Sequence, residues 1–241
     1  MTAPLLSVRG LDAFYGAAQI LFSIDFDLYA GEVVALMGRN GAGKTTTFES
    51  IIGLVARRSG SIRFRGDEIV SLKPHEIARR GLGFVPEDRR IFSDLTVIEN
   101  LEVGRRPPHD EAGLSREAWT PERLFELFPN LAEARHRSAG RMSGGEQQML
   151  TIARTLMGNP LAILLDEPSE GIAPIIVDQM IVMIERLKDS GVAILVSEQN
   201  LPFAAAVAGR AYVVEHGQIK FSGEMRSLVE NQDVRRAYLE L

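Results

Sequence analysis

Cysteine is absent from the 241 residues, which excludes a disulfide framework, thiolate catalysis and any zinc site built on thiolates. Histidine is scarce. The four, at positions 75, 109, 136 and 216, fall in no motif and read as surface or loop residues rather than as a catalytic base. Positive charge is not in excess either: 27 Lys and Arg stand against 32 Asp and Glu, a formal charge of −5. That argues against nucleic acid as a partner, since nucleic-acid binding usually shows as a basic domain or stripe. No apolar run approaches the roughly 18–20 residues that cross a bilayer, and Met1-Thr2-Ala3-Pro4 lacks the basic-then-apolar order of a secretion signal. The expectation is a cytoplasmic chain that meets a membrane only through a partner protein. What the chain has is an ordinary globular balance, 45% apolar and 24% charged, whereas disordered chains are poorer in apolar residues and more strongly charged.

Hydrophobic patterning divides the chain. Residues 24–28, Ile-Asp-Phe-Asp-Leu, are apolar at every second position, the signature of a strand with one dry face. With the stretches around 6–9 and 61–65 they predict an antiparallel sheet. Four other short runs, 33–37, 82–85, 161–165 and 192–196, are apolar throughout, which suits strands covered on both faces in a parallel sheet. Three of them lead into helix-like segments, at 43–54, 174–189 and 200–208, so the C-terminal strand ends should form a ligand-binding rim. Between the second and third runs, residues 88–157 read as a helical insertion. Thr96–Glu99 and Ser143–Glu146 are capping boxes, and Thr120-Pro121 is a cap followed by proline at the first helical position. Residues 105–113 look like an exposed loop and the C-terminal 234–241 like a short helix.

Three elements carry chemistry. Gly38-Arg39-Asn40-Gly41-Ala42-Gly43-Lys44-Thr45, followed by Thr46, satisfies the phosphate-loop pattern directly after the strand at 33–37. Its glycines let successive backbone N–H groups curl round a polyphosphate, the helix start adds positive potential, Lys44 reaches the outer phosphates and Thr45 offers a hydroxyl to Mg2+. The run 161–165 closes in Asp166-Glu167. Two carboxylates at the end of a buried strand are costly unless something cationic compensates them. Magnesium on a phosphate supplies that, with Asp166 holding the metal and Glu167 taking a proton from an attacking water. Ser143-Gly144-Gly145-Glu146-Gln147 is a good helix start on capping grounds alone. The same geometry exposes backbone N–H groups that can grip a phosphate from another molecule, and both readings can hold at once.

Phosphate loop, Ser-Gly-Gly-Glu-Gln and a strand ending in Asp-Glu, in that order with a helical insertion between, resemble the nucleotide-binding subunit of an ATP-binding cassette (ABC) transporter. The likeness covers essentially the whole chain. It is closer still to the ATPase subunits of branched-chain amino-acid importers, through Val-Pro-Glu-x-Arg-Arg-Ile-Phe at 85–92, Leu-Phe-Glu-Leu-Phe-Pro at 124–129, Met142–Leu150, Gly-Ile-Ala-Pro at 171–174 and Ser-Glu-Gln-Asn at 197–200. The resemblance implies an α/β fold: a P-loop NTPase (RecA-like) parallel-sheet core with an N-terminal antiparallel β subdomain and an inserted α-helical subdomain. It makes the chain a single nucleotide-binding domain, 1–241, with residues 1–87 and 158–241 as the ATP-binding core and 88–157 as the helical part.

The same resemblance assigns roles by position. Tyr15 matches an aromatic that stacks on adenine, a core tyrosine being the alternative. Glu87 falls where most members carry a glutamine that senses Mg2+ and the transporter interface, and Ser169–Ile172 matches a loop that crosses a dimer interface. Gln199 stands where the wider family has a histidine on the γ-phosphate; an amide donates a hydrogen bond there but cannot relay a proton near neutral pH. Catalysis is therefore expected to rest on Glu167, with Lys44 on the phosphates and Gln199 orienting. Glu170 replaces a common leucine and makes Glu-Gly-Ile resemble urea-type importer subunits. The implied machine pairs two ATPase subunits head to tail around ATP and Mg2+, each chain lending Ser143, Gly144, Gly145 and Glu146 to its neighbour's phosphate loop. The partners implied are a second ATPase subunit, more a paralogue than a copy, two transmembrane permease subunits and, indirectly, a solute-binding protein, at the cytoplasmic face of the cell membrane. A small-molecule kinase and a soluble non-transport ATPase are the competing classes.

Overall fold

The computed structural model describes residues 3–108 and 117–239. In chain order the elements are β1 (Leu6–Tyr15), β2 (Ala18–Leu28), β3 (Val33–Met37), α1 (Lys44–Ile51), β4 (Arg57–Phe64), β5 (Asp67–Glu68), α2 (Pro74–Arg79), β6 (Leu82–Val85), α3 (Val97–Gly104), α4 (Pro121–Leu127), α5 (Pro129–Glu133), α6 (Gly144–Leu156), β7 (Ala162–Asp166), α7 (Pro174–Asp189), β8 (Ala193–Glu198), α8 (Leu201–Val207), β9 (Arg210–Glu215), β10 (Gln218–Glu224), α9 (Met225–Glu230) and α10 (Gln232–Tyr238). A single 3-10 turn, Ala139–Arg141, precedes α6. His109 and residues 109–113 of the expected loop, with the last two residues of the C-terminal segment, lie outside the described residues.

Among the described residues the strands form two sheets. The first has the order β2-β1-β4-β5 and is antiparallel throughout. The second runs β10-β9-β3-β8-β7-β6; β9, β3, β8, β7 and β6 are parallel, and β10 returns antiparallel to β9. The apolar runs are buried on both faces, as continuous hydrophobicity demands. In β3, Val33, Ala35 and Met37 pack on one side with α6, α7 and α8, and Val34 and Leu36 on the other with the antiparallel sheet and α1. In β2 the alternation holds: Ile24, Phe26 and Leu28 are buried while Asp25 is exposed.

The helix starts follow their caps. The Thr96 and Ser143 hydroxyls accept from the third amide of α3 and α6, and the Glu99 and Glu146 carboxylates reach back to the cap amides. Thr120 caps α4. The structure differs from the sequence reading at several places. Helix α1 stops at Ile51 because Gly53, at φ 85°, turns the chain out of the helix. Strand β8 runs past its apolar segment through Ser197 and Glu198. The β9–β10 hairpin, which the apolar pattern did not announce, turns on His216 (φ 46°) and Gly217 (φ 71°).

Candidate functional site

The strand-to-helix turn after β3 explains its glycines. A Cβ on Gly38 would lie 2.4 Å from the Val214 carbonyl oxygen, and Gly43 caps α1 at φ 111°, in left-handed space closed to most side chains. The loop thereby folds around Lys44, which is only 3% exposed. Its Nζ donates to the Gly38 carbonyl at 2.8 Å and the Arg39 carbonyl at 3.0 Å, and pairs with Glu167 Oε1 at 2.9 Å.

Parallel pairing of β7 with β8 brings the second element alongside. Asp166 is opposite Ser197 in register, and the Ser197 hydroxyl donates to Asp166 Oδ1 at 2.5 Å. Asp166 Oδ2 is buried without a hydrogen-bond partner. Glu167, 7% exposed, holds a positive φ of 42°, a conformation costly outside glycine, kept here by its amide donating to the Ser197 hydroxyl and carbonyl. Gln199 is exposed, and its Nε2 donates to Glu167 Oε2 at 3.4 Å.

A cleft of about 390 Å3 opens over these groups, lined by Tyr15, Gly41, Lys44, Glu87, Glu167 and Glu170, with Asn40, Gly43, Thr45 and Thr46 also at its wall. Beside it a smaller hollow is walled by Thr45, Glu87 and Asp166. Tyr15 is no core tyrosine: it is 49% exposed at the cleft mouth, its hydroxyl donating to Glu49 Oε2 at 2.7 Å. Ala42 is buried and Arg39 half-buried behind the loop.

Ser143, Gly144, Gly145 and Glu146 stand apart from the cleft of their own chain. Ser143 is exposed and Gly144 half-exposed beneath the Arg89 guanidinium, while Gly145 is buried against Ile176 of α7. Glu146 is engaged by the Ser143 amide at 2.7 Å and by Arg137 at 3.5 Å. Of the four, Ser143 is exposed, Gly144 and Glu146 are half-buried and Gly145 is buried.

The cleft is acidic, and its carboxyls show it. Burial foremost pushes Asp166 upward, aided by the charges of Glu167 and Glu87 and opposed by the Ser197 and Thr45 hydroxyls. Burial likewise raises Glu198. Glu170 rises to about 7, first through a hydrogen bond to Glu167, then through burial and the charges of Glu167, Glu87 and Glu198. Such a site gains from a dication. The orphaned Asp166 oxygen, with Thr45 and Glu87 beside it, is a hard-oxygen donor set that fits Mg2+. Among the described residues no group of three or more His, Asp or Glu side chains is placed to hold a metal ion.

Ser197 and Glu198 entered the sequence reading only within the Ser-Glu-Gln-Asn resemblance at 197–200, with no role of their own in the site. The available signal was two polar residues at the end of the apolar run 192–196, next to Gln199.

A parallel sheet whose strand ends carry a phosphate-binding turn, a buried lysine and adjacent acidic residues defines a P-loop nucleoside-triphosphatase. Residues 21–170 match the ABC transporter family, and the chain belongs to it. The chain is 43% identical over 236 residues, 98% of its length and 99% of the relative's, to the high-affinity branched-chain amino acid transport ATP-binding protein BraG of Pseudomonas aeruginosa. It is 37% identical over 234 residues, 97% and 96% of the two chains, to the lipopolysaccharide export system ATP-binding protein LptB of Escherichia coli K12. Among solved structures, a nucleotide-free ATP-binding cassette from an ABC transporter superposes with a TM-score of 0.81 at 25% identity, covering 96% and 97% of the two chains. An ADP-bound cassette superposes with a TM-score of 0.80 at 24% identity, covering 98% of each. The protein is an ABC transporter ATPase, and its function is ATP hydrolysis.

Proposed function

We propose that this chain is the ATP-hydrolysing subunit of an importer for branched-chain amino acids or a related small solute, peripheral to the cytoplasmic face of a membrane. The observation that carries the catalytic part is the convergence of Lys44, Asp166 and Glu167 on one cleft at the strand ends. Backbone N–H groups of Gly41 to Lys44 and the Lys44 ammonium take the phosphates, and Tyr15, once released from Glu49, stacks on the base. Thr45, Asp166 and Glu87 would hold Mg2+, which would neutralise charge on the phosphates. Glu167 accepts the proton of the attacking water, and the Gln199 amide donates a hydrogen bond that orients the reacting phosphate. Residues 88–157 act as the arm that carries Ser143 and Gly144 to a second ATPase subunit.

The permease side of the proposal rests on a groove of about 380 Å3, lined by Ile52, Ile77, Phe84, Phe92, Val103 and Arg154. Phe92 and Val103 are 47% and 58% exposed within it, and it abuts the loop that bears Glu87. No helix among the described residues is long and apolar enough to cross a membrane, so coupling to transport runs through such a contact. The solute assignment is supported by the identity to BraG across both full lengths, while Glu170-Gly171-Ile172 favours a urea- or amide-type solute. Likeness to LptB keeps export as the second reading. Purification of the intact complex from membranes tests this: branched-chain amino-acid permeases as companions support it, and lipopolysaccharide-export companions overturn it. For the chemistry, Glu167→Gln is expected to lower turnover about 10²–10⁴-fold while leaving ATP affinity; retention of most turnover would overturn the role of Glu167.

A further inference from the structure

The end of β8 grips the nucleotide cleft with three successive side chains. Ser197 holds Asp166 and the Glu167 amide, and Gln199 touches Glu167. Between them Glu198 is 1% exposed, a carboxylate with no ion-pair partner among the described residues. Its oxygens are divided. Oε1 accepts from the Ser169 amide at 3.1 Å, and Oε2 accepts from the Asn200 amide at 3.2 Å. Its backbone carbonyl accepts from the Gly38 amide at 3.2 Å, at the start of the phosphate loop. One buried residue thus joins the phosphate loop, the turn 167–171 behind the acidic pair, and the loop that presents Gln199.

Burying a carboxyl without a cation is costly unless its oxygens are satisfied, and a hydrophobic residue here would cost less. The two amides it satisfies belong to separate loops, and each loop has a functional end: Ser169 adjoins Glu170 at the cleft wall, and Asn200 adjoins Gln199. We propose that Glu198 is a positioning residue that makes these two loops move as one, so that the orientation of Gln199 on the reacting phosphate and the placement of the 169–172 turn are set together. It touches no substrate and acts through Gln199 and the turn. The inference rests on the roles given above to Glu167 and Gln199.

The test is a mutant cycle in steady-state ATP hydrolysis by the intact complex. Glu198→Gln keeps the shape and forfeits one of the two acceptors, because its NH2 group meets an N–H. Its kcat is expected to fall on the order of 10–10²-fold, as for a small misplacement of catalytic groups, with KM for ATP within about twofold. In a Gln199→Ala background the same substitution should cost clearly less than it does alone, since one of the two groups it positions is gone. Unchanged kcat in Glu198→Gln, or full additivity in the double variant, overturns the proposal. If Glu167→Gln and Gln199→Ala both leave turnover intact, the underlying catalytic reading fails instead. A wild-type measurement covers the case of a variant that does not fold. On ATP binding, hydrogen exchange of the Ser169 and Asn200 amides should slow together, and a change in one without the other contradicts a shared tether.

Discussion

At the scale of single residues, the Lys44–Glu167 pair decides the most. Both groups are nearly inaccessible, so removing one leaves the other charged and desolvated, a loss of about 3–5 kcal/mol. Lys44→Ala is therefore expected to lower unfolding free energy by about that amount, as well as to abolish ATP binding. Denaturant titration checks it, and adding Glu167→Gln should restore much of the stability but none of the binding. Glu170 gives a pH test. Its folded pKa of about 7 lies above the ordinary 4.5, so the fold favours the protonated carboxyl. The stability this contributes is complete below the ordinary value and is lost as pH rises through about 7. Glu170→Gln, which imitates the protonated form, should raise Tm relative to the parent at pH 8 and much less at pH 5. Because the side chain is exposed, added salt should shrink the difference.

At the scale of elements, legibility followed physical cause. Strands β3, β6, β7 and β8 were visible because a strand buried on both faces has to be apolar throughout, and α3, α4 and α6 because their caps are written in side chains. The β9–β10 hairpin was missed. Its turn uses His216-Gly217 rather than the usual Asn-Gly, although both residues adopt the positive φ that such a turn requires. The phosphate loop, Asp166 and Glu167 were legible as motifs. Glu198 was not, because its role depends on which amides the neighbouring loops aim at it, and pairing of β7 with β8 is not written in either strand alone. The burial of Gly145 was hidden for the same reason, since Ile176 lies 31 residues downstream and α7 brings it back. Two expectations belong here. Ser143→Ala should cost about 1 kcal/mol through the lost cap of α6, measurable in the isolated chain. Phe92→Asp should abolish co-purification with permease subunits without altering ATP affinity, because the groove lies away from the phosphate loop.

At the scale of the molecule, one sheet serves both duties. Its strand ends build the nucleotide cleft, and the helices between β6 and β7 carry Ser143 and Gly144 away from that cleft toward solvent. On the proposed head-to-tail pairing, each chain presents half of one site and the complement of another. Light scattering of Glu167→Gln protein, alone and with the second ATPase subunit that co-purifies in its complex, tests this most directly. The account predicts that Mg-ATP converts separate subunits into a two-ATPase particle with nucleotide in both seams, and that Ser143→Tyr prevents it. Subunits that bind ATP yet keep the same mass at high concentration would contradict it.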